Sequence, residues 1–119
     1  MILVDSSVWI DHFREVVPEL VAMLDRGEVT THPFVVGELA CGNLSNRGEM
    51  LELLAQLPAA SIADHDEVME FIQSRRLYSR GIGYVDVHLL ASVAIDGTRL
   101  WTNDRRLQES AAGLGLAAR

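Results

Sequence analysis

The chain alternates between two patterns of apolar and polar positions. Short apolar runs predict four β-strands, at residues 2–4, 28–31, 60–63 and 99–102. Longer stretches, in which apolar residues recur every three or four positions, predict seven helices. They cover residues 6–14, 18–26, 33–44, 49–57, 64–75, 84–95 and 104–110. This alternation favours an α/β domain with a mainly parallel sheet, to which the closing segment LGLAAR could add an edge strand.

Local signals fix several helix boundaries. Pro18 stands at an expected first helical position, and Gly97 follows an expected last turn. Asp64 and Glu67 have the spacing of a capping box, in which each side chain binds a backbone N–H near the other residue. The helix predicted at 84–95 is apolar on most sides, so we expect it to be central and buried.

Length and composition narrow the class of protein. The 119 residues suffice for one domain, expected to span 1–119, and 49% of them are hydrophobic. The net charge of −7 argues against broad affinity for nucleic acid, but metal-binding carboxylates themselves add negative charge. All ten basic residues are arginine, which excludes lysine-dependent chemistry. The lone cysteine, Cys41, excludes an internal disulfide and a cysteine zinc cluster, and we expect it to be a small buried apolar residue.

Two aspartates directly follow predicted strands. Asp5 follows the first strand, and Asp104 follows the strand RLWT. The carboxyl ends of parallel strands are where ligands bind, so both side chains could face one crevice. Each could instead be a helix N-cap. Ser6 or Ser7 could cap in place of Asp5, as Asn103 could for Asp104, and the carboxylates would then be available for other work.

Two further acids lie on apolar helix faces. Glu38 belongs to PFVVGELACG and Asp86 to GIGYVDVHLLASVAI. An isolated carboxylate on an apolar face is energetically costly. The alternatives are a partly exposed helix edge for Glu38 and a first-turn acid favoured by the helix dipole for Asp86.

A cluster of four carboxylates would require a neutralising cation, because like charges in one crevice repel each other. Oxygen ligands suit Mg²⁺ or Mn²⁺ better than zinc. Such a site fits hydrolysis of a phosphodiester, in which the metal activates water and stabilises developing charge. The sequence therefore predicts a metal-dependent enzyme that acts on phosphodiesters.

Four segments carry a family resemblance that spans nearly the whole chain. ILVDSSVWID, VVGELACG, GIGYVDVHLLA and LWTNDRRL resemble, in order and spacing, the signature segments of PIN-domain ribonucleases, and most closely the VapC toxins of bacterial type II toxin–antitoxin pairs. The resemblance implies a three-layer α/β/α sandwich with a central, mainly parallel sheet. It implies an endoribonuclease dependent on Mg²⁺ or Mn²⁺, with Asp5, Glu38, Asp86 and Asp104 as catalytic and metal-binding residues.

The resemblance also implies partners: an RNA substrate, a second copy of the chain in a homodimer, and a cognate VapB-like antitoxin whose tail covers the active site. Small polar residues fall beside the acids (Ser6 or Ser7, Thr102 and Asn103), and Ser6, Thr102 and Asn103 are the candidate substrate contacts. Phe13, four residues after Trp9, could contribute to an antitoxin groove, although both aromatic residues would also fit the core. No signal peptide or membrane span is evident, so we expect a cytoplasmic protein without membrane contact.

Half of the positive charge falls in two segments. The five residues are Arg75, Arg76, Arg80, Arg105 and Arg106. They could be ordinary solvated surface, or they could form a rim that contacts phosphates around an acidic centre, with Arg80 and Arg105 as the candidate substrate contacts. The histidines show no zinc-like spacing, and His88 is expected to be packed or to face a partner.

Two other functions remain open from sequence alone. A receiver-like or haloacid-dehalogenase-like phosphoryl-transfer domain also places aspartates at strand ends, but both normally use a lysine, which this chain lacks. A non-catalytic PIN-like module could bind RNA or protein without cleaving it, and the presence of all four acids argues against that reading.

Overall fold

A computed structural model describes residues 1–119 and contains a three-stranded parallel sheet. The strands are β1 (Ile2–Val4), β2 (Val29–Thr30) and β3 (Arg99–Trp101). Their order is β2-β1-β3, and Leu3 of β1 pairs with Thr30 on one side and Leu100 on the other. The first strand of the chain is therefore the central strand of the sheet.

Seven helices surround the sheet: α1 (Ser6–Arg14), α2 (Pro18–Asp25), α3 (Pro33–Cys41), α4 (Arg47–Gln56), α5 (His65–Arg75), α6 (Tyr84–Asp96) and α7 (Arg105–Gly113). The chain leaves β1 toward β2 and later crosses back over β1 to β3. Right-handed crossovers in opposite directions place their helices on opposite faces of the sheet. Helix α1 packs against α3, while α6 packs against α5 and β3. The predicted α/β/α sandwich with a parallel sheet is confirmed.

The core lies where the central strand meets the longest helix. Leu3 and Val4 are fully buried, as expected of a strand covered on both faces. Every residue of α6 from Val87 to Val93 is also buried, which confirms that this helix is central. Trp9 of α1 is fully buried and stacks on the half-buried Phe13, with ring centroids 5.8 Å apart.

Several predicted boundaries are present as hydrogen bonds. The Asp64 side chain accepts from the Glu67 N–H at 2.8 Å, and the Glu67 side chain accepts from the Asp64 N–H at 3.0 Å, so the capping box is confirmed. Pro18 is the first residue of α2. Gly97 ends α6 with a φ of +67°, a conformation that favours glycine.

The strand predicted at residues 60–63 is wrong. Only a single bridge joins Thr31 to Ala59, and the chain then leaves the sheet. The Ser61 N–H donates to the Asp96 carboxylate at 2.9 Å instead of to a strand partner. The closing segment does reach the other edge, where Leu100 bridges Ala117.

The prediction for Cys41 is also wrong, because this residue is exposed. Helix α3 ends at Cys41, three residues earlier than predicted, so the thiol lies in the last turn beside solvent.

None of the seven helices combines the length and the apolar character that a membrane-spanning helix requires.

Candidate active site

The four acids come from separate segments of the chain. Asp5 directly follows β1, and Asp104 lies three residues after β3 ends at Trp101. Glu38 lies on α3, and Asp86 is the third residue of α6. Because the strands are parallel, Asp5 and Asp104 lie at the same edge of the sheet, next to the point where the connections diverge in opposite directions.

The side chain of Asp5 is buried and firmly held. Its Oδ2 accepts hydrogen bonds from the Ser7 hydroxyl and the Thr102 hydroxyl, each at 2.8 Å. Ser7 comes from the first turn of α1, and Thr102 follows β3. These bonds join the ends of the two neighbouring strands around one carboxylate.

Asp104 and Asp86 each bind a backbone N–H near their own helix terminus. Asp104 is the N-cap of α7, and its Oδ1 accepts from the Leu107 N–H at 3.0 Å. The Oδ2 of Asp86 accepts from the Gly83 N–H, also at 3.0 Å. Both carboxylates thus lie at the positive end of a helix.

Electrostatic effects connect the four acids. Desolvation raises the pKa of Glu38, and the nearby charges of Asp5 and Asp86 raise it further, against a smaller lowering by the Ser6 hydroxyl. Desolvation likewise raises the pKa of Asp86. The Gly83 N–H opposes that rise, while Asp5 and Asp104 add to it. Carboxylates distant in sequence are therefore near enough to raise one another's pKa values at this edge of the sheet.

The four carboxylates are chemically suited to a hard divalent cation, but in this structure they are too far apart to bind one together. All four groups offer carboxylate oxygens, the ligands that Mg²⁺ and Mn²⁺ prefer. No three His, Cys, Asp or Glu side chains are grouped closely enough to hold a metal ion as they stand. A cation at this site would have to draw the carboxylates together, and Glu38, an exposed side chain on a helix, has room to move.

The capping argument from sequence is wrong at both strand ends. Asp104 itself caps α7, while Asn103 uses its side chain to donate to Asp11 at 2.8 Å. At Asp5 the side chain makes no capping bond, but neither serine replaces it, because Ser6 and Ser7 already lie inside α1.

The remaining candidate substrate contacts lie around the crevice. Ser6 begins α1, and its hydroxyl lowers the pKa of Glu38 through a hydrogen bond. Thr102, in contrast, donates its hydrogen bond to Asp5. Arg105 is exposed and pairs with Glu109 at 3.3 Å, which leaves it on the surface of α7. Arg80 is exposed as well, and its Nε donates to the Arg76 carbonyl at 2.9 Å.

From the sequence, Ser7 was an alternative to Ser6 beside the acids but was not chosen as a site residue, and Asp11 was not assigned to the site. The structure connects Asp11 to Asn103, whose N–H donates to Ser7 at 2.9 Å. The available signal was the position of Ser7 two residues after Asp5, a spacing at which a hydroxyl can return to the carboxylate.

Comparison with known proteins identifies the family of the chain. Residues 2–113 match the PIN domain family. The chain is 48% identical over 118 residues to Ribonuclease VapC32 of Mycobacterium tuberculosis, in both strain CDC 1551 and strain H37Rv. That alignment covers 98% of this chain and 95% of the relative.

A solved structure shares the fold at much lower sequence identity. The crystal structure of PAE2754 from Pyrobaculum aerophilum superposes with a TM-score of 0.64 at 17% identity, covering 94% of this chain and 85% of that one. The match across almost the entire chain, together with the level of identity to Ribonuclease VapC32, shows that the protein belongs to the PIN domain family, among its VapC-type ribonucleases.

Proposed function

We propose that the protein is a divalent-metal-dependent endoribonuclease and the toxin of a toxin–antitoxin pair. Its relative is named a ribonuclease and is similar over nearly the full length of both chains. The observation that carries the proposal is the mutual electrostatic effect of Asp5, Glu38, Asp86 and Asp104, which originate from four separate segments. A repulsive cluster of this kind is suited to a cation.

In this proposal Asp5 and Asp86 would be the main ligands of Mg²⁺ or Mn²⁺. Asp104 and Glu38 would complete the site directly or through water, and one of the acids would orient the attacking water. The bound cation supplies positive charge that activates water and stabilises the phosphate and the leaving oxygen. The hydrogen bonds to Ser7, Thr102, Gly83 and Leu107 keep the aspartates in place without using all of their oxygens.

The five arginines form the proposed phosphate-contacting rim. All of them are exposed, and Arg75 and Arg80 flank a depression shared with α7. Arg106 lies against the backbone of Gly81, which brings the two arginine segments together. This local concentration of positive charge would let RNA bind a protein whose net charge is −7. We further propose that the protein acts in the cytoplasm.

A groove beside Glu38 is the proposed seat of the antitoxin tail. Ile10 and the half-buried Phe13 of α1 line one wall, and Leu39 and Leu44 line the other. An apolar segment of the antitoxin could bind there and reach the acids. Trp9 does not take part, because it is fully buried in the core.

A second copy of the chain is proposed to cover an apolar patch on α3 and the start of α6. The patch consists of Pro33, Phe34, Gly37, Cys41 and Val85, and the side chain of Glu38 also borders it. Cys41 is the only cysteine and is exposed, so a short bis-maleimide would link two copies that pair through this patch. Dimers that elute in gel filtration and are cross-linked only when Cys41 is present would support the pairing; a monomer at micromolar concentration would contradict it.

RNA cleavage by Asp5→Asn tests the proposed activity. The substitution removes a ligand charge and keeps the size of the side chain, so we expect loss of both cleavage and cellular toxicity with the fold retained. Asp25→Asn is the matched control, because Asp25 is exposed at the end of α2 and has no hydrogen-bond or ion-pair partner. Cleavage by the Asp5 variant at the wild-type rate, with contaminating nuclease excluded, would refute the assignment.

The same assay separates the enzyme from a non-catalytic PIN-like module. Such a module would bind RNA or protein, and neither the wild-type chain nor its variants would cleave RNA. The cluster of four acids favours the enzyme, because a binding module has no need to retain mutually repelling carboxylates.

A further inference from the structure

Two hydroxyls bind one oxygen of Asp5, and each hydroxyl is itself bound by a backbone amide. Ser7 Oγ and Thr102 Oγ1 both donate to Asp5 Oδ2 at 2.8 Å. Ser7 Oγ in turn accepts from the Asn103 N–H at 2.9 Å, and Thr102 Oγ1 accepts from the Asp104 N–H at 3.0 Å. The two bridges have the same form: a backbone N–H, then a hydroxyl, then the carboxylate.

The direction of these bonds is fixed by chemistry. A backbone N–H can only donate, and a hydroxyl has a single proton to donate. Each hydroxyl that accepts from an amide on one side therefore directs its proton to Asp5 Oδ2 on the other. The two hydroxyl oxygens, Ser7 Oγ and Thr102 Oγ1, also lie 3.3 Å apart. Because each hydroxyl already donates its proton to Asp5, there is no hydrogen bond between them. Backbone geometry after β3 thus sets the rotation of the Asp5 carboxylate.

The other oxygen of Asp5 has a different environment. Oδ1 accepts no hydrogen bond, and it is not among the fully buried polar atoms that lack a partner, so it keeps some contact with solvent. Asp86 and Asp104 show the same division, each with one oxygen bound to a backbone N–H. In all three aspartates, one carboxylate oxygen accepts hydrogen bonds from the protein and the other accepts none.

We propose that Ser7 and Thr102 are positioning residues that occupy Oδ2 of Asp5 and thereby present Oδ1 alone to the divalent cation. This inference rests on the proposed function, since it concerns the same metal centre. It assigns Thr102 to the support of Asp5 instead of to the substrate contact that the sequence suggested. It would leave a single oxygen of Asp5 available to a cation.

Binding of Mn²⁺ without RNA, measured by isothermal titration calorimetry, tests the assignment. Partners of metal ligands typically contribute about 10- to 100-fold to metal affinity. We expect Thr102→Val and Ser7→Ala each to weaken Mn²⁺ binding by about tenfold, and Thr102→Ser, which keeps the hydroxyl, to restore it. In RNA cleavage, Thr102→Val should lower kcat and leave KM unchanged, whereas a substrate contact would raise KM.

Matched controls come from hydroxyls elsewhere in the core. Thr30 and Ser92 are buried, and neither hydroxyl has a hydrogen-bond partner. Thr30→Val and Ser92→Ala should therefore bind Mn²⁺ like the wild-type protein. Circular dichroism and melting in EDTA confirm that each variant is folded before its affinity is compared.

The outcomes separate this inference from the proposed function. If the wild-type protein binds Mn²⁺ and the Ser7 and Thr102 variants bind it equally well, the positioning role is wrong and the metal centre stands. If the wild-type protein does not bind Mn²⁺ at all, both are wrong. Weakened binding in Thr102→Val that Thr102→Ser does not restore would point to packing and would also overturn the role of the hydroxyl.

Discussion

Mild acid should destabilise the protein through His32, at the start of α3. The His32 ring is fully buried, and its Nδ1 accepts a hydrogen bond from the Phe34 N–H at 3.0 Å. The ring proton must therefore be on Nε2, which is buried and has no acceptor. Protonation would place a second donor opposite the Phe34 N–H and remove the cap of the helix that carries Glu38.

The size of the effect follows from the pKa. Burial, with a smaller contribution from the charge of His88, lowers the pKa of His32 from 6.5 to about 4. The unfolded chain therefore takes up this proton at a higher pH than the folded protein. Stability from the neutral imidazole is complete above pH 6.5 and is lost as the pH falls toward 4. At 1.36 kcal/mol per pKa unit the total loss is about 3 kcal/mol, of which about 2 kcal/mol falls between pH 7 and pH 4.5.

Urea unfolding of the wild-type protein and of His32→Asn across this pH range isolates the contribution. Asparagine can still cap α3 but cannot titrate. The variant should be less stable at neutral pH, because the smaller side chain leaves a cavity that is independent of pH. We expect the gap between the two free energies of unfolding to narrow by about 2 kcal/mol between pH 7 and pH 4.5.

Other titrating groups act on both proteins and largely cancel in the difference. The raised pKa values of Glu38 and Asp86 work in the opposite direction, because their contribution to stability is present at low pH and is lost as the pH rises through those values. The lowered pKa of His88 also affects both chains. Two stability curves that stay parallel from pH 7 to pH 4.5 would refute the reasoning about His32.

The other predictions concern single backbone and capping contacts. Asp104→Ala should lose about 1 kcal/mol of stability with the N-cap of α7, whereas Asp104→Asn keeps the cap and should melt like the wild-type protein, while both lose RNA cleavage. Equal stability of the two variants would contradict the capping role. Gly81→Ala should cost at least about 1 kcal/mol, because φ is +74° and a Cβ would overlap the Arg106 side chain. Gly48→Ala, where a Cβ meets nothing, is its control and should be neutral or stabilising; similar urea midpoints for the two glycine variants would refute the strain at Gly81.

The acidic residues were accessible to sequence reasoning because strand ends and helix faces constrain them strongly. Once Ile2–Val4 was a buried strand, Asp5 had to lie at its carboxyl end, and the parallel sheet then determined which other strand end it could face. Glu38 and Asp86 stood out because they interrupted apolar surfaces. The expectation that they lie near Asp5 and Asp104 depended on the topology of the sheet more than on local propensity.

The details that were missed depend on tertiary partners. Asparagine and aspartate have similar N-cap preferences, so the sequence could not decide between Asn103 and Asp104. Asp11, from another segment, decides the matter by binding the Asn103 side chain. In the same way, the apolar run after Ala59 has strand-like composition, but the Asp96 carboxylate takes the Ser61 N–H and ends the pairing.

The prediction that Cys41 is buried was wrong for a related reason. Its small apolar neighbours suggested an interior helix face, but the apolar character of α3 there continues onto the surface. A sequence pattern does not distinguish a face buried within one chain from a face left open for a second copy.

The metal centre is tested most directly by a crystal structure of the wild-type protein with Mn²⁺, using anomalous scattering to locate the ion. The account predicts one or more Mn²⁺ ions among Asp5, Asp86 and Asp104, with Asp5 bound through Oδ1 and its Oδ2 still held by Ser7 and Thr102. Glu38 should move toward the ion, directly or through water. An anomalous map with no manganese at the carboxyl ends of β1 and β3, or with the ion bound elsewhere on the chain, would contradict it.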